Sequence, residues 1–545
     1  MKYGFIIDNR KCIGCHACTV ACKAEHEVPI GVNRTWVKYI EKGTFPDSRR
    51  YFTVMRCNHC DNPPCVEICP VGALFQRDDG IVDFNNQRCI GCKSCTMACP
   101  YDSIYIDPDT GTAAKCNYCA PRVDNGLLPA CVNVCPEQAI ISGDLDNPQT
   151  EISRLLGRNQ VTARKVEKGT VPKLFYINGE GSAMVPMAAP PTNNYQQFEQ
   201  AAGVGHYAFK AAKRAIDIES EIISSRGNIP TGYQEENKSK YGVTLADGGG
   251  SRVDLMAQKA TRTHDAPSKG ILWGWELPAY LWSKAVAAGL FIVSSMTAIF
   301  SPYSVTDQFL WFSAITSLIF LVLTVLFLVK DLDKPMRFFY VLLRPQYGSW
   351  LARGGLIMTA FGFFVMVWII GQLSGIDAIK NIAYIAGTAS AVFLGVYTAF
   401  LLGQAKGIDF WQSPLMPYHM LAHTIMAGAA TVLLYGLVSY DMNIIEISKK
   451  VLMGAIVANL VFTLSEIFSA HSTADQMLAA KIIFGKKYGN IFISLVLMGG
   501  NLLPLWLLVK AGFGLLLIPV ALLVLLGIWV SDHIWIRAPQ LIARS

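Results

Sequence analysis

Cys12-Ile13-Gly14-Cys15-His16-Ala17-Cys18-Thr19-Val20-Ala21-Cys22 spaces four cysteines as C-x2-C-x2-C-x3-C, and Cys89-Ile90-Gly91-Cys92-Lys93-Ser94-Cys95-Thr96-Met97-Ala98-Cys99 repeats the spacing. That run holds a [4Fe–4S] cluster. Three thiolates wrap one cube, and the fourth points to a neighbouring cube. Two looser quartets, Cys57-Cys60-Cys65-Cys69 and Cys116-Cys119-Cys131-Cys135, complete a set of 16 cysteines, all between Cys12 and Cys135. Proline follows Cys69, Cys99 and Cys135, as the run predicts, whereas Lys23 follows Cys22. Four clusters in one small domain make a wire for single electrons.

Zinc and disulfides are the competing readings. Zinc ribbons pair CxxC knuckles around one ion and do not ask for three cysteines in seven residues. A disulfide framework needs an oxidising compartment, and no signal-peptide pattern stands ahead of Cys12.

From about residue 275 the composition changes. Eight apolar stretches, near 278–300, 308–329, 354–373, 382–403, 418–440, 451–470, 489–509 and 513–530, each have the length of a bilayer-crossing helix. Only Lys510-Ala511-Gly512 separates the last two.

The net charge of +7 is uneven: residues 271–545 hold 16 Lys+Arg against 11 Asp+Glu. The excess is too small and local to suggest nucleic acid. Eight crossings put both termini on one side, and the connections and tail on that side carry Lys330, Lys334, Arg337, Arg344, Arg353, Lys406, Lys481, Lys486, Lys487, Arg537 and Arg544. The other side has Lys380, Lys449, Lys450 and Lys510. Positive-inside asymmetry therefore predicts that the cysteine domain and both termini face the cytoplasm of a prokaryotic membrane. Arg49-Arg50 has no apolar run behind it and is not an export signal.

Residues 1–180 read as an α+β iron–sulfur domain, with strand-like runs at Tyr3 to Asp8, Gly80 to Phe84 and Ser103 to Ile106. Residues 181–270 read as a linker, opening on Met187-Ala188-Ala189-Pro190-Pro191 and carrying a glycine run at 248–250. Within it, Tyr195 to Ser225 has helical spacing. Residues 271–545 form the all-α membrane domain.

These residues resemble a known group. The quartets, including Cys57-Asn58-His59-Cys60-Asp61-Asn62-Pro63-Pro64-Cys65-Val66-Glu67-Ile68-Cys69-Pro70, are similar to the four-cluster, ferredoxin-like subunits (NrfC/PsrB/DmsB type) of membrane-bound molybdopterin oxidoreductases. Trp273-Gly274-Trp275-Glu276-Leu277-Pro278-Ala279-Tyr280-Leu281-Trp282, with Asp331-Leu332-Asp333-Lys334-Pro335 and Arg337-Phe338, resembles the eight-helix NrfD/PsrC quinone-reactive subunits, built as two four-helix bundles. In that family the halves are usually separate polypeptides; here they look fused. The resemblance implies cluster sharing: the first and last quartets supply one pair of clusters, with Cys22 and Cys135 crossing over. The second and third supply the other, with Cys69 and Cys99 crossing over. It also implies a molybdopterin-type catalytic partner, with a nickel–iron hydrogenase large subunit as the alternative.

A quinone takes two electrons and two protons, so a (mena)quinone or quinol pocket must lie in the membrane near a cluster. Ionisable residues in spanning segments are costly and mark candidate sites. Glu276, Tyr280 and Lys284 share one face of the first span, and Asp331 and Arg337, with Arg344 and Arg353, return to the same level. Lys284 snorkelling to the interface is the alternative. At the same end of the other four spans lie His419, His423, Asn459, Thr463, Glu466 and His471. Glu466 is either a proton-relay carboxylate or half of a structural pair with Lys481 or a histidine. The histidines near the membrane half, His419, His423, His471 and His533, sit at helix ends, so no haem is expected. An ion-translocating redox module is a further reading of the buried carboxylates.

Overall fold

The computed structural model describes residues 1–44, 46–186, 188–189, 260–267, 269–300, 305–468, 473–510, 514 and 516–544. The two matching cysteine runs fold alike because their glycines permit it. Gly14 and Gly91 take φ of +73° and +72°, and His16 and Lys93 follow at +62° and +61°. A left-handed step is cheap only without a Cβ, and it curls the chain so that successive thiols face one point. Each run then enters a helix, Ala17–His26 or Ser94–Ala98.

Small sheets frame these loops. The strands are β1 (Tyr3–Asp8), β2 (Thr35–Thr44), β3 (Asp47–Arg56), β4 (Leu74–Gln76), β5 (Val82–Phe84), β6 (Ile104–Ile106), β7 (Ala113–Lys115), β8 (Ile140–Asp144), β9 (Val161–Thr162), β10 (Leu174–Ile177) and β11 (Thr261–His264). They pair as β8-β1-β10-β9, β11-β2-β3, β4-β5 and β6-β7. β1 matches its predicted bounds, while β5 and β6 begin slightly inside theirs. The hairpin β2–β3, in register from Thr35↔Arg56 to Thr44↔Asp47, has no counterpart among the predicted strands.

The stretch expected to be a linker contributes folded pieces. Gly181–Met184 is a short helix, and β11 pairs antiparallel with β2, so the chain returns to the cysteine domain before entering the membrane. Tyr195 to Ser225 and the glycine run lie outside the described residues, as do His471 and Ala511-Gly512.

Among the described residues the C-terminal half holds eight long apolar helices, the number the sequence predicts: Glu276–Phe300, Asp307–Lys330, Trp350–Ser374, Asp377–Gln404, Met416–Ser439, Met442–Phe468, Gly489–Lys510 and Leu517–Arg537. The first and fifth cross at the centre. A Cβ on Gly289 would stand 2.0 Å from the Thr424 carbonyl and 2.7 Å from the Gly428 amide, so only glycine allows this approach. An unpredicted helix, Ala474–Phe484, joins the sixth and seventh spans. Phe492–Leu502 in the seventh winds as a π-helix, just ahead of Pro504, which has no amide to donate.

Candidate functional site

The sixteen cysteines gather in four sets, each mixing two quartets. Cys89, Cys92 and Cys95 line one cavity with Cys69. Cys57, Cys60 and Cys65 lie with Cys99. Cys22 lines a cavity with Cys116, Cys119 and Cys131, and Cys12, Cys15 and Cys18 line another with Cys135. Neighbouring sets feel each other's charge through Cys95 and Cys65, Cys57 and Cys116, and Cys18 and Cys131. The sets therefore run in a line: membrane-side, second, third, distal. At the distal end Cys15 is exposed.

The donor chemistry fits polynuclear iron–sulfur groups better than lone ions. Among the described residues no three His, Cys, Asp or Glu side chains converge tightly enough for one metal ion, whereas a zinc site needs all its sulfurs about 2.3 Å from one centre. Burial pushes Cys18 up to about 11 and Cys92 and Cys119 up to about 12, so these three thiols, when bare, stay protonated at neutral pH. Bound iron is what stabilises the thiolate. The sulfurs also face hydrogen-bond donors. Amides of Ala73, Ser103, Ala113 and Ala139 donate to Cys69, Cys99, Cys89 and Cys135 at 3.2–3.5 Å.

The membrane-side set is clasped by the loop between the second and third spans. Asp333 and Lys334 amides donate to the carbonyls of Gly91 and Ile90 at 3.4 and 3.2 Å. Arg337 donates to the carbonyls of Cys89 and Asn86 at 2.9 and 2.8 Å, and Ser349 Oγ to Ile68 at 2.7 Å. Lys93, between two cysteines of the set, reaches back to the carbonyl of Asp331 and the carboxylate of Asp333. Below this clasp lies a cavity of about 220 Å³, lined by Cys92, Trp273, Tyr280 and Asp331 and by apolar faces of the second and third spans. The Trp273 indole N–H donates to the Cys92 carbonyl at 3.2 Å.

Of the residues singled out on the sequence, Tyr280 and Asp331 line this cavity. Tyr280 also hydrogen-bonds Tyr397 of the fourth span. Glu276 does not line it, but its charge acts on Asp331. Burial pushes the Asp331 carboxyl up to about 7, with Lys93 pulling it down and Glu276 and Asp333 pushing it up. Lys284 neither snorkels nor enters the cavity. It is 1% exposed and donates to Thr398 Oγ1 at 2.6 Å and Gly395 O at 3.2 Å. Arg337 belongs to the clasp, and Arg344 and Arg353 lie over Tyr340 and Trp350. Trp273 and Lys93 lie inside the quoted motifs but are not among the residues singled out, and Tyr397 has no motif near it.

Glu466 pairs with a histidine, not Lys481. His419 Nδ1 lies 2.7 Å from Glu466 Oε2, and Thr463 Oγ1 lies 3.3 Å from His419 Nε2. Beside it, His423 Nδ1 lies 3.0 Å from Asp532 Oδ1, and the two imidazoles meet edge to face at 4.6 Å. All four are buried. Asp532 escapes the sequence reading because the last predicted stretch ends at 530 whereas the helix runs to Arg537, and its partner is 109 residues away.

Comparison with known proteins agrees with this division. Residues 264–541 match the family described as "Polysulphide reductase, NrfD", and residues 11–74 and 48–145 match 4Fe-4S dicluster domains. A tetrathionate reductase subunit of Salmonella typhimurium is 43% identical over 190 residues, 34% of this chain and 76% of that protein. Protein NrfC of Escherichia coli is 45% identical over 181 residues, 32% and 81% of the two chains. A polysulfide reductase chain of Wolinella succinogenes is 42% identical over 181 residues, 32% and 94%. These relatives cover only about the first third of the chain. The membrane module matched over half the chain, joined to an iron–sulfur electron-transfer unit on the same polypeptide, makes the chain a member of the NrfD polysulphide reductase family.

Proposed function

We propose that this chain is the electron-transfer and quinone-reactive membrane subunit of a respiratory oxidoreductase. It passes electrons between a separate molybdopterin-type catalytic subunit and the (mena)quinone pool through four [4Fe–4S] clusters, one per cysteine set. The observation that carries the reading is the junction of wire and cavity: Trp273 and Cys92 both line the cavity and are hydrogen-bonded to each other. Two of the relatives are named as parts of reductases, of tetrathionate and of polysulfide, which supports a reductase partner.

A cavity of 220 Å³ is smaller than the roughly 300–1,000 Å³ clefts that enclose a drug-sized ligand. It suits a flat ring with its tail left among the lipids. When bound there, the quinone supplies two-electron, two-proton chemistry. Trp273 and the apolar walls hold the ring against the cysteine domain and exclude water. Tyr280, backed by Tyr397, presents a hydroxyl to a ring oxygen, and Asp331 holds or releases a proton at its carboxyl. The distribution of Lys and Arg supports placing the cysteine domain and both termini in the cytoplasm.

A second reading, an ion-translocating module, is favoured by the two buried carboxylate–imidazole pairs, which stand outside the cavity and have no part in ring binding. Glu466 is the candidate relay carboxylate there.

The deciding experiment combines metal analysis with quinone turnover. Purified anaerobically, the protein holds about sixteen irons, four per cluster, and dithionite-reduced clusters are reoxidised by a soluble menaquinone analogue. Trp273→Leu slows that reoxidation at least tenfold with iron content unchanged. Stoichiometric zinc, or reoxidation untouched in Trp273→Leu, overturns the reading.

A further inference from the structure

We propose that the third set, Cys22, Cys116, Cys119 and Cys131, holds the highest-potential cluster of the line, an internal electron sink created by Arg56 and Lys115. This rests on the four-cluster reading above and adds an order of potentials to it.

Arg56 and Lys115 are 1% and 0% exposed, and among the described residues neither is ion-paired with a carboxylate. Arg56 donates to Cys131 Sγ at 3.2 Å and Thr35 Oγ1 at 3.1 Å, and packs 4.4 Å from the ring centre of Phe5. Its Nε has no partner. Lys115 donates to the carbonyls of Val82 and Cys116 and lies 3.7 Å from Cys57 Sγ. A cation withdrawn from water with no anion beside it is strongly disfavoured. Two of them, both against cysteine sulfur, imply that the countercharge is the cluster itself. A cubane with four thiolates is anionic in both working states and gains one more negative charge on reduction. A nearby buried cation therefore favours the reduced form.

Position decides which cluster benefits most. Arg56 faces Cys131, Cys116 and Cys18, between the third and distal sets. Lys115 acts on Cys57 and Cys65 while bonding the Cys116 carbonyl, between the second and third sets. Only the third set touches both cations, Arg56 at the Cys131 sulfur and Lys115 through the Cys116 carbonyl. His26 Nε2, 3.0 Å from Cys119 Sγ, adds a donor in the tautomer that carries the proton there. At the membrane-side set the corresponding cation, Lys93, is already paired with Asp333 and Asp331. Exposure of Cys15 favours reduction of the distal set too, but water screens the charge it solvates. Arg56 acts at contact distance on Cys131, and Lys115 sits against the adjoining Cys116 backbone, both in a dry core.

The sequence shows why this set differs. Where proline follows the terminal cysteine, at Cys69, Cys99 and Cys135, the amide four residues on donates to that sulfur. Lys23 follows Cys22 instead, the helix Ala17–His26 continues, and the set's side-chain donors reach Cys119 and Cys131. An electron entering from either end falls to the third set and waits there, which fits a wire joining two sites that each work in electron pairs.

Anaerobic potentiometric titration of the whole protein, read by low-temperature electron paramagnetic resonance, tests this. The first signal to appear on reduction should be the one broadened or lost in Cys119→Ser. In Arg56→Gln and in Lys115→Gln the reduced-to-oxidised ratio of that cluster at fixed potential should fall at least tenfold, about 59 mV for one electron. Arg56→Lys should keep most of it. His26→Leu removes one donor, leaves both cations, and should shift the same signal less, which covers the case in which Arg56→Gln does not fold. The inference is overturned if the first-reduced cluster is unaffected by Cys119→Ser, or if its ratio is unchanged in every variant that loads sixteen irons. Fewer than four clusters in the unaltered protein instead overturns the function proposed above.

Discussion

Lys93 reaches out of the cysteine domain to the Asp331 carbonyl at 2.9 Å and the Asp333 carboxylate at 3.1 Å. The same lysine stands between Cys92 and Cys95, so the residue that shapes the membrane-side cysteine loop also fastens it over the cavity. Lys93→Met keeps the side-chain length but removes the donors. Hydrogen bonds to charged groups contribute about 1.5–3 kcal/mol, so the clasp should loosen without unfolding the domain. Hydrogen exchange should accelerate across residues 331–349, and quinone-linked reoxidation should slow. Unchanged exchange there would mean that the clasp is held by its other contacts, the Asp333 and Lys334 amides, Arg337 and Ser349.

Asp331 should set a pH dependence. Its carboxyl is held near 7 by burial, so it is protonated below that pH and charged above it. In the direction that reduces quinone, a protonated Asp331 is a donor, and the rate should fall as pH rises through about 7. Asp331→Asn should lower the rate and flatten that limb. The charge of Glu276 helps hold the Asp331 carboxyl up, so Glu276→Gln should move the limb to lower pH and leave its height nearly unchanged. A limb that stays in place in both variants would assign the proton to another group.

What the sequence discloses and what it hides follow one rule: local patterns are legible, meetings between distant segments are not. The C-x2-C-x2-C-x3-C runs and the apolar spans are local, and both lead to the observed architecture. β3 opens on four exposed residues, Asp47-Ser48-Arg49-Arg50, and buries its other end as a block without alternation, so it carries no period-2 signal. β11 pairs with β2 across more than 200 residues, and nothing near Thr261 announces a partner at Glu41. The cavity shows the same divide. Tyr280 and Asp331 stand out as polar groups at a membrane edge, but that Lys284 turns to Thr398 while Tyr280 lines the cavity depends on how the fourth span packs. Arg56 and Lys115 give no local sign, because a basic residue beside a cysteine reads as surface until its burial is known.

The crossing of the first and fifth spans offers a test of packing alone. Gly289 and Gly428 abut, and any Cβ at Gly289 collides with backbone, which cannot rotate aside as a side chain can. Overpacking of this kind costs about 1–3 kcal/mol, occasionally more. Gly289→Val should lower the melting midpoint of the detergent-solubilised protein and leave the iron content of the cysteine domain intact. An unshifted midpoint would mean that the two helices do not approach as closely as described.

The His419–Glu466 pair separates relay from scaffold. A scaffold needs a hydrogen-bond acceptor for His419 Nδ1; a relay needs a group that can take and lose a proton. Glu466→Gln preserves the first and removes the second, with almost no change of volume. Breaking a buried pair outright costs about 3–5 kcal/mol, so Glu466→Ala should destabilise the protein in either case and discriminates nothing. In proteoliposomes with a trapped pH dye, driven by quinol and followed through cluster reduction, a relay predicts that Glu466→Gln keeps electron transfer within about twofold while the pH change across the membrane collapses. Asp532→Asn should behave likewise, since Asp532 holds His423 as Glu466 holds His419. If both variants keep the pH change in step with electron transfer, the four residues are structural, and the protons of the quinone chemistry leave through Asp331 at the cysteine-domain face.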